Sequence, residues 1–185
     1  MNPRRWHGCG AALAIALLLA PRAYAQTATA PELKAAFLYN FAKFVEWPSE
    51  SMPAGTPLVV CVLGDDAVAD ALEETVKGRV IDGHPVRTQR VKIDSPLRTC
   101  HVLYVSGMDA KRSIDLLEGL ADASVLTASD FDRFAQLGGV SNFFVENGRM
   151  RFAVNIESAQ RARLQVSSKL LGLARIVKDE HHGQR

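Results

Sequence analysis

From Leu58 to Leu63 the chain is an unbroken apolar, β-branched run, bounded by Pro57 and by Gly64-Asp65-Asp66. Such a run reads as a strand covered on both faces that feeds a helix. Asp65 or Asp66 is placed to cap that helix, which is expected from Ala67 to about Lys77 with Gly78 as its stop. Upstream, Leu33, Phe37, Asn40, Phe41 and Phe44 recur at helical spacing behind Pro31-Glu32. A first helix is therefore predicted to begin near Pro31 and to end by Pro48. The period then shortens to two over residues 86–93, as in a half-exposed strand. His101 to Val105 and Ser124 to Thr127 are two more buried strands, separated by a helical pattern between Asp109 and Leu120. Ser129-Asp130 then opens a short helix carrying Phe131 and Phe134. Strands alternating with helices predict an α/β fold, a mostly parallel sheet with helices on both faces.

After Gly138-Gly139 the pattern becomes that of an antiparallel β-hairpin, two strands joined by Asn147-Gly148, the strongest short-range signal for a two-residue turn. The turn fixes a register in which Glu146 opposes Arg149, Val145 opposes Met150, Phe144 opposes Arg151 and Phe143 opposes Phe152. One face is then apolar. The other carries Asn142, Phe144, Glu146, Arg149, Arg151 and Asn155, polar around a central aromatic ring. Val166, Leu170, Leu173, Ala174 and Val177 recur at helical spacing, which predicts a closing C-terminal helix that starts near Ser167 or Ser168 and packs on the sheet.

The N-terminus sets the compartment. Arg4 and Arg5 precede an apolar stretch from Ala11 to Ala20, and Ala23-Tyr24-Ala25 follows as a processing site, so residues 1–25 are expected to be a cleaved signal peptide. The apolar stretch is about half the ~20 residues a membrane-spanning helix needs, and the product is expected to be exported and not inserted in a membrane. Residues 26–30 are expected to be disordered, residues 31–178 to form one domain, and residues 179–185 to fray. Cleavage removes Cys9 and leaves Cys61 and Cys100. In an oxidising compartment such a pair reads as a disulfide, whose loop closure would stabilise the fold by about 4 kcal/mol. Two buried, inert thiols are the alternative. Because Cys100 lies at a strand entrance, the bond is expected to be only partly shielded. The balance of 22 Lys+Arg against 20 Asp+Glu becomes nearly even once Arg4, Arg5 and Arg22 leave with the signal. No global basic field remains to attract nucleic acid or an anionic membrane surface.

Candidate chemistry changes the picture little. Gly64-Asp65-Asp66 with Asp109 and Thr127 is similar to the acidic site of receiver domains, but no lysine follows a fifth strand, and helix capping accounts for the aspartates. There is no G-x-S-x-G elbow and no C-x-x-C pair. His181 and His182, adjacent on the chain, point in different directions and do not make a metal site. His101 beside Cys100 is read as packed at a strand end. No catalytic residue, cofactor or metal ligand is assigned, and the protein is not expected to be an enzyme. The hairpin's polar face is the better candidate. Phe144 flanked by Arg149 and Arg151 combines residue types enriched at binding hot spots; the alternative is that a helix covers this face or that Arg149 only pairs with Glu146. Asn155 lies on the same face, and Arg161, Ser168 and Lys169, with Arg163 and Arg175, are candidates to extend it along the C-terminal segment, the alternative for these charges being a solvated helix face.

The stretch from Lys34 to Pro48, KAAFLYNFAKFVEWP, resembles the opening helix of the YfiR-like periplasmic proteins. Cys61-Val62-Leu63-Gly64 and Cys100-His101-Val102-Leu103-Tyr104-Val105 resemble that family's cysteine-bearing strands. Gly138-Gly139, Gly148-Arg149, Arg151-Phe152, Asn155 and Ser167-Ser168-Lys169-Leu170-Leu171 match its C-terminal part. The resemblance implies a non-enzymatic α/β domain that represses an inner-membrane diguanylate cyclase by binding its periplasmic sensor region, lowering cyclic di-GMP and biofilm formation. It also implies a homodimer, sequestration by an outer-membrane lipoprotein, and a disulfide between Cys61 and Cys100. Some relatives carry a second cysteine pair where this chain has Ala135 and Asn142, and an acidic residue where it has Ala153. The alternative function is a periplasmic small-ligand sensor that uses a pocket at the strand ends of the parallel sheet.

Overall fold

The computed structural model describes residues 29–180. The expected signal peptide, residues 26–28 and residues 181–185 lie outside the described residues. Helix α1 (Ala30–Phe44) starts at Thr29, whose side chain accepts from the Glu32 N–H while the Glu32 carboxylate accepts from the Thr29 N–H at 2.6 Å, a reciprocal capping box. The helix therefore begins one residue before Pro31, and its cap lies in the stretch expected to be disordered. Its core stripe is Ala35, Leu38, Phe41 and Ala42, with Phe37 and Phe44 packed at its margins, whereas Leu33 is exposed. After α1 the chain extends as β1 (Val45–Glu46).

Strand β2 (Leu58–Leu63) is an interior strand of an eight-stranded sheet, followed by α2 (Asp66–Val76), which is capped by the Asp65 carboxylate. A tight turn at Asp82-Gly83, both with positive φ, joins β3 (Val80–Ile81) to β4 (His84–Val91). The alternating strand thus starts and ends two residues earlier than its polar pattern suggests. A 3-10 turn at Leu97–Thr99 leads into β5 (Val102–Val105), then α3 (Ala110–Gly119) and β6 (Leu126–Ser129). The short helix expected to carry Phe131 and Phe134 is instead a run of turns over residues 132–138. Phe134 is buried beneath it, and a Cβ at Gly139 would meet the Phe134 ring at 2.3 Å. Close approach, more than conformational freedom, requires that glycine.

The hairpin is β7 (Ser141–Glu146) and β8 (Arg149–Asn155). Asn147 and Gly148 both have positive φ (50° and 70°), which matches the right-handed twist of the flanking strands. The register is the one the turn dictates, with Glu146 opposite Arg149 and Phe143 opposite Phe152. Helix α4 (Ile156–Arg161) and β9 (Gln165–Val166) follow, the latter antiparallel to β1. The closing helix is only one turn, α5 (Ser168–Leu171). Gly172 then ends it, and Arg175–Val177 form β10, parallel to β8 at the sheet edge. Helical spacing misleads here because Leu170 packs against the core while Leu173 is 72% exposed. Pairing with β8 supplies hydrogen bonds that another turn of a poorly covered helix would have to find within itself.

The sheet order is β10-β8-β7-β6-β5-β2-β4-β3, with β4, β2, β5, β6 and β7 parallel. The chain runs outward from β2 to β4, then returns to β5 on the other side. The strand order therefore reverses at β2, which leaves a crevice beyond the carboxyl ends of β2 and β5. Helices α1 and α2 cover one face through Val60, Val62, Tyr104, Phe143 and Phe152; α3 covers the other through Leu63, Leu103, Val105 and Leu116.

Cys61 and Cys100 form a disulfide that closes a sequence separation of 39, with their Cα atoms 5.8 Å apart. Both residues are buried, at 0% and 3% exposure, so the bond is fully shielded instead of partly so. The 3-10 turn and Leu97 roof the strand entrance that looked open in sequence. The end of the described chain is tied down as well. Glu180 donates its N–H to the Gln136 carbonyl at 3.0 Å and pairs with Arg133, while the Asp179 carboxylate, 2% exposed, forms an ion pair with Arg161 at 2.6 Å. Residues 179 and 180 therefore belong to the fold and not to a frayed tail.

Candidate functional site

Strand alternation on β7 and β8 sends Phe143 and Phe152 toward α1, where Phe143 stacks on Phe41 at 5.7 Å and Phe152 meets Phe41 edge-on at 5.1 Å. Phe144 and Arg151 consequently project from the opposite face. Strand β10 adds Arg175 beside Ala153, on that same face. The Arg175 guanidinium lies 4.2 Å above the Phe144 ring centre and pairs with Glu146, whose carboxylate also lies 3.6 Å from Arg151 Nε. The result is a half-buried aromatic under one guanidinium, with a second beside it and one carboxylate between them. Arg149, at the hairpin tip, is exposed. Among the described residues no helix packs extensively on this surface, and Glu146 pairs with Arg151 and Arg175.

The remaining assigned residues divide. Asn155 is 0% exposed: its Oδ1 accepts the Ser158 N–H at 3.0 Å, and its Nδ2 donates to the Ala135 carbonyl at 2.8 Å and to Asp179 at 2.6 Å. It caps α4 and anchors the chain end, so it offers nothing to a partner. Arg161 holds Asp179 and Ser158 and lines a 470 Å³ cavity between α3 and α4. Ser168 and Lys169 are exposed on α5, whose Leu170 and Leu171 pack on the α1 side of the sheet. They lie on the opposite side from Phe144. The structure therefore brings together Phe144, Arg149, Arg151 and Arg175, and separates Ser168 and Lys169 from them.

A family model described as YfiR/HmsC-like matches residues 31–175. The chain belongs to this family. YfiR/HmsC-like proteins are regulatory and not catalytic, and no helix among the described residues is long and apolar enough to cross a membrane. A solved conserved domain protein from Vibrio cholerae O1 biovar El Tor str. N16961 shares the fold, with a TM-score of 0.50 and 11% identity over 82% of this chain. This YfiR/HmsC-like chain spans 60% of that protein's length. At Ala135 and Asn142, where some relatives have a second cysteine pair, the Ala135 N–H donates to Asn142 Oδ1 at 3.4 Å. A buried polar contact joins the two positions here. Ala153 is buried at 3% exposure beside Arg175, and it leaves the guanidiniums of this face with Glu146 as their carboxylate.

Sequence reasoning missed a polar cluster at the carboxyl ends of the parallel strands. Lys34, in the first turns of α1, donates to Asp130 at 2.6 Å and lies 3.6 Å from Asp65 and 5.4 Å from the centre of the Tyr104 ring. Ser106 donates to the other Asp130 oxygen at 3.3 Å. Burial opposes the Lys34 charge, but the bonds and charges of Asp130 and Tyr104 outweigh it, and its pKa is raised. Burial likewise opposes the Asp130 charge and is overcome by Lys34, so the Asp130 pKa is lowered. Burial pushes the Tyr104 hydroxyl up to about 12. The only signal in sequence was that the helix start and three strand ends each carry one polar residue, and their convergence is a product of topology. Among the described residues no group of three or more His, Cys, Asp or Glu side chains is arranged to hold a metal ion.

A second concavity lies beyond the same strand ends on the α3 side. Its volume is 1030 Å³; its floor is Leu63, Gly64 and Ser106, and its walls are α3 and the β4–β5 connection.

Proposed function

We propose that this protein is a periplasmic regulator that represses an inner-membrane diguanylate cyclase by binding the cyclase's periplasmic sensor region. Family membership supports the regulatory role. The observation that carries the contact surface is the uncovered hairpin face, where Phe144 sits beneath Arg175 and beside Arg151 and Glu146. Its reverse side is locked to α1 by four aromatic rings, so the surface is preorganised and little ordering entropy opposes docking. A rigid aromatic with flanking guanidiniums suits a partner surface that presents carboxylates around an apolar pocket. On this reading the bound state lowers cyclic di-GMP and biofilm formation, an outer-membrane lipoprotein competes for the regulator, and the regulator is a homodimer.

The decisive experiment is crosslinking capture from an inner-membrane extract, with the Phe144→Ala/Arg151→Glu double variant as the control. A membrane cyclase enriched on the wild-type protein and lost on the variant is the expected result, together with raised cyclic di-GMP in cells lacking this gene. Equal capture by both proteins would remove the hairpin face from the proposal, and unchanged cyclic di-GMP would remove the role.

A further inference from the structure

We propose that the 1030 Å³ groove on the α3 side of the sheet is a binding site for a free amphipathic carboxylate, an apolar body of medium length bearing one anionic group. The inference does not depend on the hairpin face or on any cyclase partner.

Topology places the groove. It opens beyond the carboxyl ends of β2 and β5, where the strand order reverses, the position at which open α/β sheets leave a crevice that no crossover helix can fill. Two local features keep it open. Gly64, with φ +84°, brings its backbone so close to Ser106 that a Cβ would lie 2.4 Å from the Ser106 carbonyl oxygen, which seals the floor without a side chain. Gly119, in the last turn of α3, faces the groove, and a Cβ there would meet nothing within 4 Å. A helix position with ordinary backbone geometry and open space beside it costs helical stability as glycine and gains no packing. Here it preserves volume.

Chemistry selects the occupant. Leu63, Leu97, Leu116 and Leu120 are buried at the base, and Met108 and Ile93 lie above them, Ile93 being 60% exposed. An apolar body laid on this surface would cover Ile93, which otherwise stands in water. The charged lining is two arginines against one carboxylate, Asp115. Arg98 is fixed at one end, donating from Nε to the Gly119 carbonyl at 3.3 Å and from Nη2 to the Ala121 carbonyl at 2.8 Å. Arg112 stands near the other end, held only loosely by Asp109 at 3.9 Å. A cation on an apolar wall favours a ligand with one anion and a hydrocarbon or aromatic body. A free molecule fits better than a membrane surface, because the chain has almost no net basic charge to draw it onto anionic lipid. The wall is also braced: Cys100, directly after the 3-10 turn that carries Leu97 and Arg98, is bonded to Cys61 in β2. One side of the groove is thereby pinned to the sheet.

The test uses the exported protein, with 8-anilinonaphthalene-1-sulfonate as a fluorescent probe and decanoate as competitor. Binding of the probe, its displacement by decanoate, and amide shift perturbations centred on Leu97, Met108 and Leu116 are expected. Gly119→Leu fills the groove and should weaken both ligands by about tenfold or more with an undiminished Tm. Arg112→Gln should weaken decanoate while leaving decanol, its uncharged analogue, unchanged. The proposal is overturned if no displaceable binding occurs, if Gly119→Leu binds as the wild type does, or if decanol binds as tightly as decanoate. Co-sedimentation with phosphatidylglycerol vesicles in place of decanoate binding would also overturn it, in favour of a lipid surface.

Discussion

Asp130 and Lys34 show how much a single pair can depend on its surroundings. Their side chains are 35% and 13% exposed, between the surface pairs that contribute little and the buried pairs whose disruption is costly. Asp130→Ala is therefore expected to cost about 1–3 kcal/mol at neutral pH, measured by urea denaturation. Because the folded-state pKa of Asp130 is lowered, its contribution is present above the unfolded carboxylate pKa and is lost as pH falls through the folded value. Variant and wild type should thus converge in strong acid. His101 provides a second pH-dependent contribution. Its Nδ1 accepts the Val59 N–H at 3.0 Å while its Nε2 lies 3.2 Å from the Ser51 carbonyl, an arrangement that requires the neutral ring with the proton on Nε2. Burial lowers its pKa, partly offset by the Ser51 bond. With the folded value below the unfolded one, stability is lost as pH falls through the ordinary histidine value of about 6.5 toward the lower folded value, and His101→Ala should flatten that part of the pH profile. The substitution also leaves the Val59 N–H without its acceptor, at about 1–3 kcal/mol. From sequence, this histidine was legible as packed at a strand end, but its role in tying the Ser51 loop to β2 was not.

Among the elements, the hairpin was the most legible because its register depends on a two-residue turn and on alternation, both local. The β10 strand was the least legible, since Arg175, Ile176 and Val177 have no local reason to leave a helical pattern; the open edge of β8 decides it. That strand lays Arg175, expected from sequence only to extend the basic surface from a helix, directly over Phe144. Arg175→Ala is therefore expected to weaken partner capture along with Phe144→Ala, with little change in Tm, because exposed ion pairs contribute at most about 1 kcal/mol. The turns over residues 132–138 behave differently. Gly139→Ala drives a methyl group into the Phe134 ring and should lower stability by about 1–3 kcal/mol, read as a shift of the urea midpoint.

For the whole molecule, the disulfide is the covalent tie between β2 and the turn that leads into β5. Reduction, or Cys61→Ala/Cys100→Ala, should cost about 4 kcal/mol by the chain-entropy estimate. With both residues buried, a mild reductant should act only after partial unfolding, and no thiol should label in the non-reduced chain even in denaturant; two labelled thiols there would rule out the bond. The sequence by itself determined the α/β class, the hairpin and its register, the cysteine pair and the family, because each rests on local periodicity, turn chemistry or contiguous motifs. Tertiary structure alone decided the strand order that brings Lys34, Asp65, Tyr104 and Asp130 together, the placement of Arg175 on Phe144, and the groove beside α3. It also decided which assigned residues point inward: Asn155 became a buried cap, and Ser168 and Lys169 fell on the far side of the sheet. The physical reason is separation along the chain. Residues far apart in sequence meet only through packing of the elements that carry them, and hydrophobic burial fixes that packing without leaving a local trace at the polar positions it gathers.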